Sequence, residues 1–255
     1  MYYINKGLRE WKLDIYKFQN EFVNKCHIFN INKNDVKFYS QQDEDKYIIQ
    51  YILKNKINDG TYLEIGACDG ILYSNTKCLE DYFGFKGILI EPQKNYYDNL
   101  CQNRSNNECY NYAVTNGNVE YVDFIGDTHP EAGLVENVKN NTLNGDVIER
   151  FGWKTTYKVK NIKMHHILSN SKYRYIDFMI IDVEGGELDL LRSIDFTFPI
   201  FCIIIEAHST TQERNKVVGN FLLKNGFTYM ERQRGNEVWI NKNYFRIHLF
   251  NDNWL

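Results

Sequence analysis

The stretch TYLEIGACDGILYSNT, Thr61–Thr76, decides the fold. Apolar and β-branched residues run into Glu64, and then Gly66 and Gly70 bracket Asp69. This reads as a buried strand that ends in a tight loop, the arrangement in which a nucleotide-like ligand can approach the backbone closely.

Strands and helices alternate downstream of it. Thr61–Ile65, Gly87–Glu91, Cys109–Val114, Asp177–Asp182 and Phe201–Glu206 read as strands, with helices such as Lys94–Arg104 and Glu187–Ile194 between them. The near-continuous apolar runs IDFMIID and FCIIIEAH suit parallel strands covered on both faces. The segment FTYMERQRGNEVWINK reads as a hairpin turning at Gly235-Asn236 and gives the sheet an antiparallel edge. The prediction is a doubly wound α/β fold: a mostly parallel sheet, an antiparallel C-terminal hairpin, and helices on both faces.

Composition agrees with one globular α/β unit. The chain has 255 residues, of which 43% are hydrophobic and 25% charged, and a net charge of −3. Nothing global argues for nucleic-acid binding. No apolar run approaches the roughly 18 residues of a spanning helix, and MYYINKGLREWKLD lacks the apolar core of a signal peptide. A cytoplasmic protein is expected. The six cysteines include no CxxC pair, so reduced thiols are expected rather than bridges or structural zinc. Heavy use of Asn, Lys, Ile and Tyr points to an AT-rich genome, such as that of a large virus, a protist or a low-GC bacterium.

Residues 1–38 read as a helical extension and 39–255 as the main domain. Leu8, Trp11, Ile15, Phe18 and Phe22 line one helical face, to pack on the domain or pair with a second copy as a homodimer. In SQQDEDKYIIQYILKN, Ser40 reads as an N-cap with Asp43 in a variant capping box, and Ile48, Ile49, Ile52 and Leu53 form the buried stripe.

Four strands end in or just before acids: Glu64 with Asp69, Glu91, Asp182 with Glu184, and Glu206. One acidic strand end is ordinary, whereas four at one edge of a parallel sheet form a site. The loop lacks the GxGxxG that seats a dinucleotide pyrophosphate, and no GK[ST] follows to make a P-loop. Carboxylates would repel a pyrophosphate. They suit a ligand with an amino group, ribose hydroxyls and a sulfonium, namely S-adenosyl-L-methionine. Glu91 stands about twenty residues past Gly70, where a carboxylate accepts both ribose hydroxyls.

On the segments SQQDEDKYI, YLEIGACDGILYSNT, GILIEPQKNYYDNL, NYAVTNGNVEYVDF, YIDFMIIDVEGGELDLLRSIDF and IIIEAH, in this order, the chain resembles the FkbM family of S-adenosylmethionine-dependent methyltransferases. The resemblance implies a seven-stranded class I methyltransferase fold and O-methylation of a hydroxyl on a sugar, a nucleotide sugar, a glycan or a polyketide-like product. By motif, Glu64, Gly66, Ala67, Asp69 and Gly70 would hold the methionine end, with Ser74 and Asn75 nearby. Glu91 with Pro92 would hold the ribose, Ala113 would flank adenine, and Asp182 with Val183 would close the methionine side. Gln41 would reach the same pocket from the extension. Cys68 and Gln93 depart from the family's usual residues.

A sugar hydroxyl is a poor acid, so a general base helps the transfer. His208 is the first candidate, although it could instead simply order Glu206. Glu184 and Glu187 either bind acceptor hydroxyls or sit at a helix N-terminus, where negative charge is favoured. Asp182, Glu206 and His208 could together hold a divalent metal. Lys154–Arg174 carries six basic residues and no acid, either as a solvated face or as a dock for phosphate. An RNA 2′-O-methyltransferase, an inactive cofactor-binding scaffold and a nicotinamide oxidoreductase are the alternatives. The first is disfavoured because no lysine ends these strands, and the last by the loop.

Overall fold

The computed structural model describes residues 10–11, 32–49, 60–140, 148, 151–207, 212–241 and 243. The strands, in chain order, are β1 (Glu10–Trp11), β2 (Thr61–Ile65), β3 (Lys86–Ile90), β4 (Glu108–Tyr110), β5 (Ala113–Val114) and β6 (Tyr121–Ile125). They continue with β7 (Gly133–Leu134), β8 (Thr156–Ile162), β9 (Ile176–Ile181), β10 (Ile200–Glu206), β11 (Phe227–Gln233) and β12 (Asn236–Asn241). The helices are α1 (Glu44–Tyr47), α2 (Lys77–Phe83), α3 (Lys94–Asn103), α4 (Val135–Asn140), α5 (Met164–Asn170), α6 (Glu187–Arg192) and α7 (Gln212–Lys224).

The main sheet runs β11-β12-β10-β9-β2-β3-β4, with the two-residue β1 added beside β11. From β10 to β4 all neighbours are parallel, and only β12 runs against its neighbours β10 and β11. This is the seven-stranded mixed sheet with an antiparallel hairpin that the sequence predicts. Alternation along the strands explains the continuous apolar runs. Tyr62, Phe178, Ile180, Cys202 and Ile204 face one core with Leu79, Phe83 and Leu100. Leu63, Met179, Ile181, Ile203 and Ile205 face the other, with Ile167, Leu190 and Leu222. Both faces of the strands are therefore dry, as a parallel sheet wrapped by helices requires.

Four details differ from the sequence reading. Cys109–Val114 is two strands, β4 in the main sheet and β5 in a second one. Asn111 lies between them, and its side-chain amide donates to the carbonyls of Glu91 (2.8 Å) and Pro92 (2.9 Å), pinning the chain where it leaves the main sheet. The second sheet, β5-β8-β6-β7, has no counterpart in the sequence reading. The first helix after Ser40 starts at Glu44, and Ser40 serves it differently from an N-cap. Ser40 Oγ donates to Asp45 Oδ1 (2.6 Å), while Asp43 occupies the cap with positive φ and no side-chain cap bond. The hairpin turns one residue early, at Arg234-Gly235, with Arg234 at φ 50°.

Of the amphipathic helix read over Leu8–Phe22, only Glu10 and Trp11 are described, and they form strand. They pair in parallel with Arg232 and Gln233, using the open edge of β11. The other residues of that helix, together with Ile52 and Leu53, lie outside the described residues. Among the described residues no helix is long and apolar enough to cross a membrane, and Cys68, Cys78, Cys101, Cys109 and Cys202 are free thiols.

Candidate functional site

The strand order reverses at β2, which has β3 on one side and β9 on the other. Open α/β sheets leave their crevice outside the carboxyl ends of the strands at such a point. A cavity of about 390 Å³ lies there, walled by Ile65 and Gly66 after β2, Glu91 after β3 and Asp182 after β9. That volume is within the usual range for small-ligand pockets.

The β2 loop is built to pass close to its neighbours. Gly66 and Ala67 donate their N–H groups to the carbonyl of Ile90, at 3.0 and 3.1 Å. Gly66 has φ +82°, and a Cβ there would stand 2.3 Å from the carbonyl oxygen of Asp182. Gly66→Ala is therefore expected to cost about 1–3 kcal/mol of stability and to displace the cavity wall. A thermal melt together with a ligand titration checks this, and an unchanged melting temperature would contradict it.

Several residues read as ligand contacts from the sequence lie behind the wall instead. Glu64 is buried, and its carboxylate accepts from Ser74 Oγ (3.0 Å), Asn75 N (2.7 Å) and Thr76 Oγ1 (2.5 Å). It orders the segment that brings Asn75 to the cavity. Asp69 Oδ1 caps the turn by accepting from Ile71 N and Leu72 N, at 2.9 and 2.7 Å. Glu64, Ala67, Asp69, Gly70 and Ser74 are absent from the cavity lining, whereas Gln41, Gly66, Asn75, Glu91, Pro92, Ala113, Asp182, Val183 and Glu184 belong to it.

Glu91 is buried at the cavity wall. One carboxylate oxygen accepts from Cys68 N (2.9 Å) and the other from Gln93 N (2.7 Å). Burial pushes its carboxyl up to about 7, against the opposing pull of these two N–H groups. Asp182 is open to the cavity, yet the surrounding protein desolvates it, and Glu206, Glu184 and Glu187 lie close. Its carboxyl is held well above the usual range. Desolvation and the neighbouring carboxylates likewise raise the Cys68 thiol, so it remains protonated at neutral pH.

Glu187 sits at the start of α6. It is buried, its Oε1 accepts from Gly185 N (2.9 Å), and Arg214 Nε lies 3.7 Å from Oε2. It does not line the cavity, and neither does Glu206 at the end of β10. His208 lies outside the described residues. Among the described residues, no three His, Cys, Asp or Glu side chains converge as a metal site.

The second sheet supplies a wall that no motif announced. Phe124 on β6, the segment from His129 to Leu134, and Phe151 line the cavity. Glu131 N donates to His129 Nδ1 (3.1 Å), so the neutral ring carries its proton on Nε2. The ring packs on Phe151 at 4.2 Å between centroids, and Phe151 stacks on Trp153 at 5.1 Å. Gln93 Nε2 donates to the His129 carbonyl (2.9 Å), which ties this wall to the β3 end. Among the described residues four carboxylates, those of Glu91, Glu131, Asp182 and Glu184, line the cavity, and neither lysine nor arginine does.

A family model described as Methyltransferase FkbM domain matches residues 64–236. No curated protein matches the chain. Among solved structures, a TehB-like SAM-dependent methyltransferase from Corynebacterium glutamicum is 8% identical, with 90% of this chain and 100% of that one covered at a TM-score of 0.42. The METTL16 MTase domain is 9% identical over 92% of this chain and 84% of that one, at 0.47. TrmK from M. capricolum, solved with S-adenosyl-homocysteine, is 11% identical over 83% and 73%, at 0.39.

Proposed function

The chain belongs to the FkbM methyltransferase family, and from that premise we propose that it is an O-methyltransferase acting on a hydroxyl of a sugar, nucleotide sugar or glycan. The observation that carries this reading is the donor set of the cavity: among the described residues, four carboxylates and neither lysine nor arginine. Where ionised, such a wall repels a pyrophosphate or a nucleic-acid backbone placed inside the cavity. It suits hydroxyls, which donate to carboxylates, and a positively charged sulfonium or amine. The residues present therefore fit S-adenosylmethionine, and they fit a polyhydroxylated acceptor better than RNA or a dinucleotide.

When bound, S-adenosylmethionine supplies a methyl group already activated on a sulfonium. The protein's task is then alignment, exclusion of water and removal of one proton. In this reading Glu91 accepts the ribose hydroxyls beside Pro92, Ala113 lies against the base, and Gly66 lets the chain come close. Gln41, Asn75 and Val183 close the walls. Asp182 and Glu184 face the acceptor side, where the raised carboxyl of Asp182 makes it a stronger base than an ordinary aspartate. His208, just beyond β10, is the second candidate for the proton, and a metal held by Asp182, Glu206 and His208 is a further variant of this chemistry. His129 Nε2–H is a fixed donor on the opposite wall, available to an acceptor oxygen.

Calorimetric titration with S-adenosylmethionine, S-adenosyl-homocysteine and NAD tests the cofactor, with binding expected for the first two only. Tight NAD binding without the others would overturn it. Methyl transfer from labelled cofactor to free glycans, nucleotide sugars and capped RNA tests the acceptor. Asp182→Asn and His208→Ala then identify the base as the variant that loses turnover while keeping cofactor affinity. Loss of activity with a chelator, restored by magnesium or manganese, would assign the proton step to a metal instead.

A further inference from the structure

A second concavity of about 490 Å³ lies beside the first and shares Pro92 and Tyr112 with it. It runs between the edge strand β4, the start of α3, and strands β6 and β8 of the second sheet. Five tyrosines line it, Tyr97, Tyr110, Tyr112, Tyr121 and Tyr157, together with Lys94, Lys158 and Lys160. Among the described residues no Asp or Glu is in its lining, the reverse of the cavity next door.

The lysines differ in how free they are. Lys94 pairs with Asp98, and Lys158 pairs with Asp123 at 2.9 Å. Lys160 makes no ion pair among the described residues. Lys94 opens α3, whose first turn carries no acid, so the helix dipole adds to the positive end. Tyr121 is 44% exposed. The Tyr157 hydroxyl is buried with no hydrogen-bond partner, and burial together with the nearby Asp127 and Glu91 pushes it up, so it stays a neutral donor. Along β8 alternation puts Lys158 and Lys160 on one face, where Lys160 stands opposite Tyr121 of β6, and turns Tyr157 to the other. An aromatic ring beside an ammonium group that has no ion-pair partner among the described residues, Tyr121 beside Lys160, is the chemistry that stacks a base and meets its phosphate.

We propose that this groove binds a nucleotide, with the base on the tyrosine faces and the phosphate on Lys160 and its neighbours. The groove adjoins the cofactor cavity through Pro92 and Tyr112 but has its own lining, and the proposal goes beyond the methyl-transfer reading without depending on it. Two sources share this chemistry: a free nucleoside phosphate, including the nucleotide half of an activated sugar, and a nucleotide within a single strand.

The test titrates the full chain with uridine, UMP, UDP and a short oligouridylate, with S-adenosyl-homocysteine saturating the cofactor cavity. Uridine keeps the base but lacks the purine that the cofactor cavity would take. UMP and UDP are expected to bind more tightly than uridine and to weaken as salt rises. Tyr121→Ala and Lys160→Glu change exposed side chains, and each is expected to weaken UDP about tenfold with S-adenosyl-homocysteine affinity unchanged. Oligouridylate much tighter than UMP would identify the source as a strand, and equal affinities would identify a free nucleotide. Nucleotide binding that S-adenosyl-homocysteine displaces would overturn the proposal. So would binding of a neutral oligosaccharide, but of no nucleotide, at the groove, or no binding at all. Failure of the cofactor itself to bind would count against the methyltransferase reading and leave the groove measurements interpretable.

Discussion

Arg104→Met should lower the unfolding free energy by about 3–5 kcal/mol, the range for removing one partner of a buried ion pair. Arg104 is fully buried at the end of α3, and its guanidinium is divided among five partners. Nη1 donates to the carbonyl of Gly70 (2.9 Å) and to Ser74 Oγ (3.1 Å), and Nη2 donates to Tyr62 Oη (2.6 Å) and Thr76 Oγ1 (3.0 Å). Nε donates to Glu80 Oε2. Gly70 must be glycine for the same reason, since a Cβ there would stand 2.6 Å from the Arg104 side chain. Removing the cation leaves Glu80 without its charge partner and releases both the glycine turn and the Ser74–Thr76 segment. Urea melts should therefore show the loss in midpoint, and the fraction that stays folded should bind S-adenosyl-homocysteine more weakly. Adding Glu80→Gln should recover part of the stability, because the orphaned carboxylate is then gone. An Arg104→Met protein as stable as the parent would mean that the network contributes no net stability.

This network shows where sequence reading stopped. Glu64 and Asp69 announced a site because acids at the ends of buried strands need a reason, and the reason found for both is internal. Glu64 holds Ser74, Asn75 and Thr76, and Asp69 holds its own turn. Arg104, the cation that completes the arrangement, follows the motif by more than thirty residues in an ordinary helix end, and no local pattern points back to the loop. The main sheet was legible because period and apolarity are local: β2 was read residue for residue, and β3, β9 and β10 to within one residue. The second sheet was not. Its strands are short or half exposed, as in β6, where Tyr121 and Asp123 are exposed and only Phe124 and Ile125 are buried. Their pairing joins segments about thirty-five residues apart, Tyr121 with Lys160 among them. With that sheet went Phe124, the segment from His129 to Leu134, and Phe151, one wall of the cavity.

Glu91→Ala should weaken S-adenosyl-homocysteine binding by about 2–4 kcal/mol, roughly 30- to 1000-fold, through loss of charge-assisted hydrogen bonds. The same change orphans Cys68 N and Gln93 N, so some stability is lost too, and affinity alone does not separate the two effects. The pH dependence does. Burial raises the carboxyl from its ordinary 4.5 to about 7, so between those values the folded chain holds a proton that the unfolded chain has released. Stability from this group is accordingly fully present below about 4.5, falls as pH rises toward about 7, and is level beyond. Ligand affinity should run the other way. Ribose hydroxyls donate to the ionised carboxylate, so binding should tighten as pH rises through about 7 and then plateau. Glu91→Gln removes the titration from both curves and leaves whatever pH dependence Asp182 contributes. Calorimetry on parent and Glu91→Gln across this range supplies the comparison. Parallel curves for the two proteins, with Glu91→Ala binding as tightly as the parent, would make Glu91 a clamp on the loop and nothing more.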